Sequence, residues 1–177
     1  MSMPPRWRKF VLTAHVTTSI GWLGSVVAYL ALDVAATAGR DVRTVRAAYL
    51  TMELTVDYVI VPLALASVLI GITNALVTPW GLFRHYWVLA KLLLTLVVTT
   101  VLLLETLTIS YLAGAAVSGG DPRELPGSLG HSIGGLVVLL LATVLSVYKP
   151  RGMTRYGWRK QRRKRKTEHL PISEAST

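Results

Sequence analysis

The stretch YWVLAKLLLTLVVTTVLLLETLTISYL, Tyr86 to Leu112, decides the class of fold. It runs for 27 residues with only two charges, Lys91 and Glu105, whereas a helix crossing the hydrocarbon core of a bilayer needs about 20 predominantly apolar residues. Three more stretches meet the same requirement: Phe10 to Leu32, Val56 to Thr78 and His131 to Tyr148. The 177-residue chain is 52% hydrophobic and 16% charged, with a mean hydropathy of +0.49. That composition is too apolar for an ordinary soluble domain. The sequence therefore predicts an all-α polytopic membrane protein, a bundle of four transmembrane helices.

The N-terminal PPRWRKF precedes an apolar run of about 22 residues, longer than the ~7–15 of a secretory signal, and so reads as a retained first helix. No cysteine is present, which excludes disulfides, thiolate-bound zinc, iron–sulfur clusters and cysteine nucleophiles. Nor does the sequence contain a nucleophile-plus-base constellation or a glycine loop of the kind that cradles phosphates. The reading leans away from an enzyme. If the protein is one, a membrane oxidoreductase is the expected class.

Charge sets the expected orientation. Arg6, Arg8, Lys9, Arg84 and the ten basic residues from Lys149 to Lys166 flank one side, against Arg40, Arg43, Arg46 and Arg123 on the other. Fourteen against four predicts both termini in the cytoplasm, in a multi-pass plasma-membrane protein of a bacterial inner-membrane kind. Residues 1–150 form the expected four-helix domain and 151–177 a basic, disordered tail. Its run RYGWRKQRRKRK is expected to fix topology and to lie against anionic lipid headgroups, with nucleic acid an unlikely partner. The connection TPWGLFRHYW, with Pro79 and Gly81, predicts a tight turn with Trp80, Tyr86 and Trp87 at interfacial depth. The Gly/Pro-rich GAAVSGGDPRELPGSLG forms a loop on the far side. GRDVRTVRAAYL starts the second helix early, and Pro62 predicts a kink.

Depth along the helices, at ~1.5 Å per residue, sorts the polar residues of the spans into two tiers. His15, Asn74 and Lys91 share one layer near the cytoplasmic side. Asp33, Glu53, Asp57, Glu105 and His131 lie near the opposite ends of their helices, which separates His15 from His131 by roughly 20 Å. His15 and Trp22 are seven apart and return to one face; Trp87 and Lys91 are four apart and share another. If both stripes turn inward, His15, Trp22, Trp87 and Lys91 line an inner-leaflet pocket. Snorkelling of Lys91 and a simple interhelical hydrogen bond from His15 are the plainer alternatives. In the outer tier Glu53, Asp57, Glu105 and His131 form a candidate site for a divalent metal. A solvated rim paired with Arg40, Arg43 or Arg46 is the alternative there. Gly21, Gly24, Gly134 and Gly135 would permit close helix approach, in a homo-oligomer or with a membrane partner for which this chain is a scaffold.

The pattern H-x6-W-x-G at His15, Trp22 and Gly24, followed by W-x3-K at Trp87 and Lys91, resembles the HemJ-type membrane protoporphyrinogen oxidases. It is also similar to the membrane domain of CopD-type copper-resistance proteins and to uncharacterised four-helix bacterial relatives of both. The likeness covers roughly Phe10 to Lys149 and includes the closing SVYKP. It implies haem b as a cofactor, His15 as an axial ligand, and Lys91 as a partner for a porphyrin propionate or substrate carboxylate. The outward continuation LLLETLTISYLAG, His131 and the long basic tail set this chain nearer the uncharacterised relatives than the oxidase. The only methionines are Met1, Met3, Met52 and Met153, so a methionine-rich copper cluster is absent.

Overall fold

The computed structural model describes residues 4–77, 82–150 and 152–168. Its elements are α1 (Pro5–Ala38), α2 (Val42–Thr55), a π-helical turn (Val56–Ile60), α3 (Val61–Val77), α4 (Tyr86–Val117), α5 (Leu129–Tyr148) and α6 (Arg155–Glu168), with a short 3-10 turn at Pro122–Glu124. Among the described residues there is no β-strand. Four helical spans are long and apolar enough to cross a membrane: Pro5–Ala38, Val42–Leu76, Tyr86–Val117 and Leu129–Tyr148. The protein is thus an all-α, four-span bundle suited to a lipid bilayer.

The spans exceed their expected bounds because each helix continues past its apolar segment until a stop signal. Pro5 opens α1, where a missing N–H costs nothing. Gly39 leaves the helix in an extended conformation. Asp41 then caps α2 by accepting from the Thr44 N–H at 2.9 Å. The second span forms one continuous helix from Val42, so its early start holds.

The irregularity expected at Pro62 falls in the turn before it. A proline cannot donate to the carbonyl four residues back, and its ring crowds that carbonyl. The chain widens to a π turn at Val56–Ile60, with the Val61 N–H bonding Val56 O. That turn also serves packing. Ala48, Met52, Val56, Ile60 and Ala64 are all buried at four-residue spacing, a stripe that drifts by about 40° per step on a regular α-helix. The wider turn keeps it facing inward.

On α1 the buried residues Trp22, Val26, Tyr29, Asp33 and Ala36 form a single face. Leucines and valines such as Leu69, Leu93, Leu104, Leu107 and Val147 are exposed on the outside of the bundle, the surface that acyl chains would cover.

The bundle has two distinct ends. At one, α1 begins and α6 docks onto the α3–α4 connection: the Thr154 N–H bonds Arg84 O at 2.9 Å, and Thr154 caps α6 by accepting from the Gly157 N–H at 3.1 Å. Gly157 is required there, since a β-carbon would fall 2.6 Å from Arg84 O. The basic segment expected to be irregular is therefore helical over Arg155–Glu168. The turn residues Pro79, Trp80 and Gly81, and the final residues 169–177, lie outside the described residues. At the other end, the long α4–α5 connection is held by α1 and α2.

Candidate functional site

At the α6 end, the two basic residues singled out by depth meet. Lys91 Nζ on α4 lies 3.5 Å from His15 Nε2 on α1. The imidazole lies flush against α3 at Gly71, where a β-carbon would approach His15 Cε1 to 2.8 Å. One turn further along α1, Ser19 Oγ and Ser67 Oγ are 2.8 Å apart and tie α1 to α3. Both ionisable groups are half-buried, and among the described residues no carboxylate pairs with either. His15 Nδ1 is buried and makes only a loose backbone contact, at Ser67, and Asn74 Oδ1, three residues beyond Gly71, is buried without a hydrogen-bond partner.

This is an unusual balance. A buried polar atom left unpaired costs about 1–3 kcal/mol, and an ammonium in an apolar span normally faces an anion. When Nε2 accepts from Lys91, Nδ1 carries the proton and can donate to the Ser67 backbone carbonyl, while the remaining N–H groups of the ammonium face no carboxylate among the described residues. The arrangement can receive an anion.

The indoles are placed differently. Trp87 is half-buried one turn before Lys91, its ring 6.5 Å from that of His85. Trp22 is 2% exposed and lines a separate cavity toward the other end of the bundle. Of the four residues expected to share one pocket, the structure pairs His15 with Lys91 and assigns Trp22 to different surroundings.

At the loop end, the central feature is Asp33, which is fully buried. Its carboxyl accepts from the Ser128 N–H at 3.2 Å, from Ser128 Oγ at 2.9 Å and from Ser132 Oγ. The Tyr29 hydroxyl lies 3.2 Å from Ser128 Oγ and can donate to it. Gly127 passes so close to Thr37 that a side chain would collide. Tyr49 adds contacts of 3.4 Å to Leu125 O and Pro126 O, and Arg46 Nε donates to Ala116 O at 2.7 Å. These bonds clamp the α4–α5 connection onto the bundle. Sequence analysis placed Asp33 in this tier but not its partners. Ser128 and Ser132, one helical turn apart, are the signal that could have found them.

Of the proposed metal set, Glu105 and His131 come together, with Nε2 to Oε1 at 3.3 Å. Glu53 is half-buried and Asp57 exposed, and among the described residues no group of three or more His, Asp or Glu is placed to hold a metal ion. Four ligands spread along a helix side do not converge merely because they share a depth. The expected rim pairing is likewise replaced: Arg46 bonds a backbone carbonyl, and the ion pair on this surface joins Arg123 to Asp121.

Outside the spans, Asp121 is held down to about 2, first by the side-chain hydrogen bond from Arg123 and then by the Arg123 backbone N–H. Asp41 is lowered by the hydroxyl and backbone N–H of Thr44. Both are loop carboxylates with local partners, Asp41 exposed and Asp121 partly so.

The glycines also differ from expectation. Gly21 approaches Leu63 at ordinary contact distance and Gly135 lies 3.8 Å from Val98, but around Gly24 and Gly134 there is nothing within 4 Å of an added β-carbon. No family model, curated protein or solved structure matches the chain.

Proposed function

We propose that this integral membrane protein binds a lipophilic anion at His15 and Lys91, and that the ligand is a carboxylate-bearing porphyrin, haem b in the form implied by the HemJ/CopD-like resemblance. One observation carries this reading: two basic side chains within an apolar bundle, His15 and Lys91, face each other with no carboxylate paired to either among the described residues. A carboxylate between them supplies the missing acceptor.

The residues fit the porphyrin's carboxylate edge. Lys91 would hold a propionate as a point charge, and His15 would donate to the same group. Haem b, when bound, would supply a redox-active iron for which imidazole is a suitable ligand. His15 would then hold the iron in place of the propionate, with Lys91 alone on the carboxylate. Protein groups at this layer otherwise bind, orient and exclude water.

The same reading assigns the α6 end to the cytoplasm, by the excess of Lys and Arg there. Arg155, Trp158, Arg159 and Arg162 share one face of α6, which suits an indole at the interface and guanidinium groups on anionic headgroups.

The test is an absorption spectrum of protein purified in detergent from haem-supplied cells, oxidised and then dithionite-reduced. A Soret band that is lost in His15→Ala and shifted or weakened in Lys91→Met is expected. A flat spectrum from wild type overturns the haem form of the proposal.

A further inference from the structure

Between Trp22 and the α4–α5 connection lies a cavity of ≈ 260 Å³, bounded by α1, the π turn, α4 and α5. It extends along α5 from Gly130 to Leu139, about 14 Å at helical rise. Its walls are apolar except at the loop end, where Glu105 and His131 lie beside Tyr29 and Ser128.

Two exposed glycines of α5 line the opening of this space. Gly130 and Gly134, one turn apart, both line it, and a β-carbon on either meets nothing within 4 Å. Neither glycine has a positive φ, and no neighbouring helix approaches closely enough to require one. A glycine inside a helix costs about 1 kcal/mol relative to alanine. Both are exposed, so what the missing side chains leave open is the mouth of the slot.

The surroundings indicate what fills it. Val97 and Val101 line the cavity and are also exposed on the outside of the bundle, at 53% and 39%, so the slot reaches the surface that a bilayer covers. An occupant can slide in sideways from lipid. The volume lies just below the ≈ 300–1,000 Å³ of ordinary ligand pockets, which suits a slender chain and not a macrocycle. At the polar end, Glu105 accepts from His131 through Oε1 and makes no other hydrogen bond among the described residues. Its second oxygen remains an acceptor on a residue that lines the slot.

We infer that this cavity binds a single-chain lipid with a neutral, hydroxyl-bearing head, the hydroxyl donating to Glu105 and the hydrocarbon tail running down to Trp22. The site is distinct from the His15–Lys91 layer and does not depend on the porphyrin reading.

Trp22 at the floor serves as the reporter. Detergent-purified full-length protein is titrated with 11-bromoundecan-1-ol, whose terminal bromine quenches a nearby indole, and in parallel with 1-bromoundecane, which lacks the head. Saturable quenching by the alcohol is expected, absent in Trp22→Phe. Gly134→Leu, which fills the slot, should weaken the alcohol at least tenfold. Glu105→Leu should weaken the alcohol about fivefold and leave the headless chain unchanged. Quenching that rises linearly with probe in the detergent overturns the site, as does unaltered saturation in Gly134→Leu. Equal loss of both probes in Glu105→Leu overturns the assignment of the head. If Gly134→Leu does not fold, Gly130→Val tests the same prediction from the other end of the slot.

Discussion

The two ends of the bundle treat buried polar groups in opposite ways. At the loop end, Asp33 is completely enclosed and receives a backbone N–H and two serine hydroxyls, one of which lies within hydrogen-bonding distance of Tyr29. At the α6 end, His15 and Lys91 touch each other, no carboxylate among the described residues pairs with either, and Nδ1 has only a loose backbone contact at Ser67. A satisfied network fixes geometry. An unsatisfied one is a cost that the fold retains for something outside itself. The same chain therefore uses buried polarity once as a structural clamp and once, on the present proposal, as a receptor.

Substitutions can break this contrast. Asp33→Ala removes the acceptor for the Ser128 N–H and the Ser128 and Ser132 hydroxyls, of which Ser132 keeps Ser128 O at 3.1 Å; with about 1–3 kcal/mol for each stranded donor, it should cost at least about 2 kcal/mol and produce the largest fall in the thermal midpoint in detergent. Gly71→Ala pushes a β-carbon into the His15 ring; overpacking of this kind costs about 1–3 kcal/mol and should also separate the imidazole from Lys91, so stability and ligand binding fall together. Lys91→Met should behave differently. Replacing a half-buried ammonium that faces no carboxylate among the described residues with an apolar side chain of similar length should be neutral or stabilising, by about 1 kcal/mol, while ligand binding is lost. A Lys91→Met protein as damaged as Asp33→Ala would show that the α6-end pair is another structural clamp.

The smallest effect concerns pH. Asp121 is lowered to about 2 by Arg123, so its folded value lies below the unfolded one near 3.8. A depressed carboxylate contributes stability that is present above about 3.8 and is lost as pH falls toward 2. The pair is exposed, so the contribution is minor and leaves pH 5–8 untouched. NMR titration of Asp121 should give a midpoint near 2 that rises in Arg123→Gln.

The architecture was legible because membrane spans are written in consecutive residues. Tyr86–Leu112 needed no tertiary information to be read as a helix, and the depth rule that brought His15 to Lys91 rests only on helical rise and alternating direction. A different rule put Trp22 beside His15: seven-residue spacing specifies azimuth but not height, and Trp22 lies two turns along α1, where it lines the cavity toward the loop end. Glu53 and Asp57 show the converse: they share a depth with Glu105 and His131, but depth does not specify azimuth, and the four do not converge. The Asp33 clamp was hidden because its donors, Ser128 and Ser132, lie almost a hundred residues away and join it only through the path of the α4–α5 connection. Gly134 was read as a contact glycine, a role that no single sequence can separate from that of lining a void.

The claim that the α6-end pair receives an anion is tested most directly by protoporphyrin IX fluorescence, titrating detergent-purified wild type and Lys91→Met with the free dicarboxylic acid and with its dimethyl ester. Saturable binding of the acid by wild type is predicted, weakened at least tenfold both by esterification and by Lys91→Met. Equal affinity for acid and ester, unchanged in Lys91→Met, would contradict it.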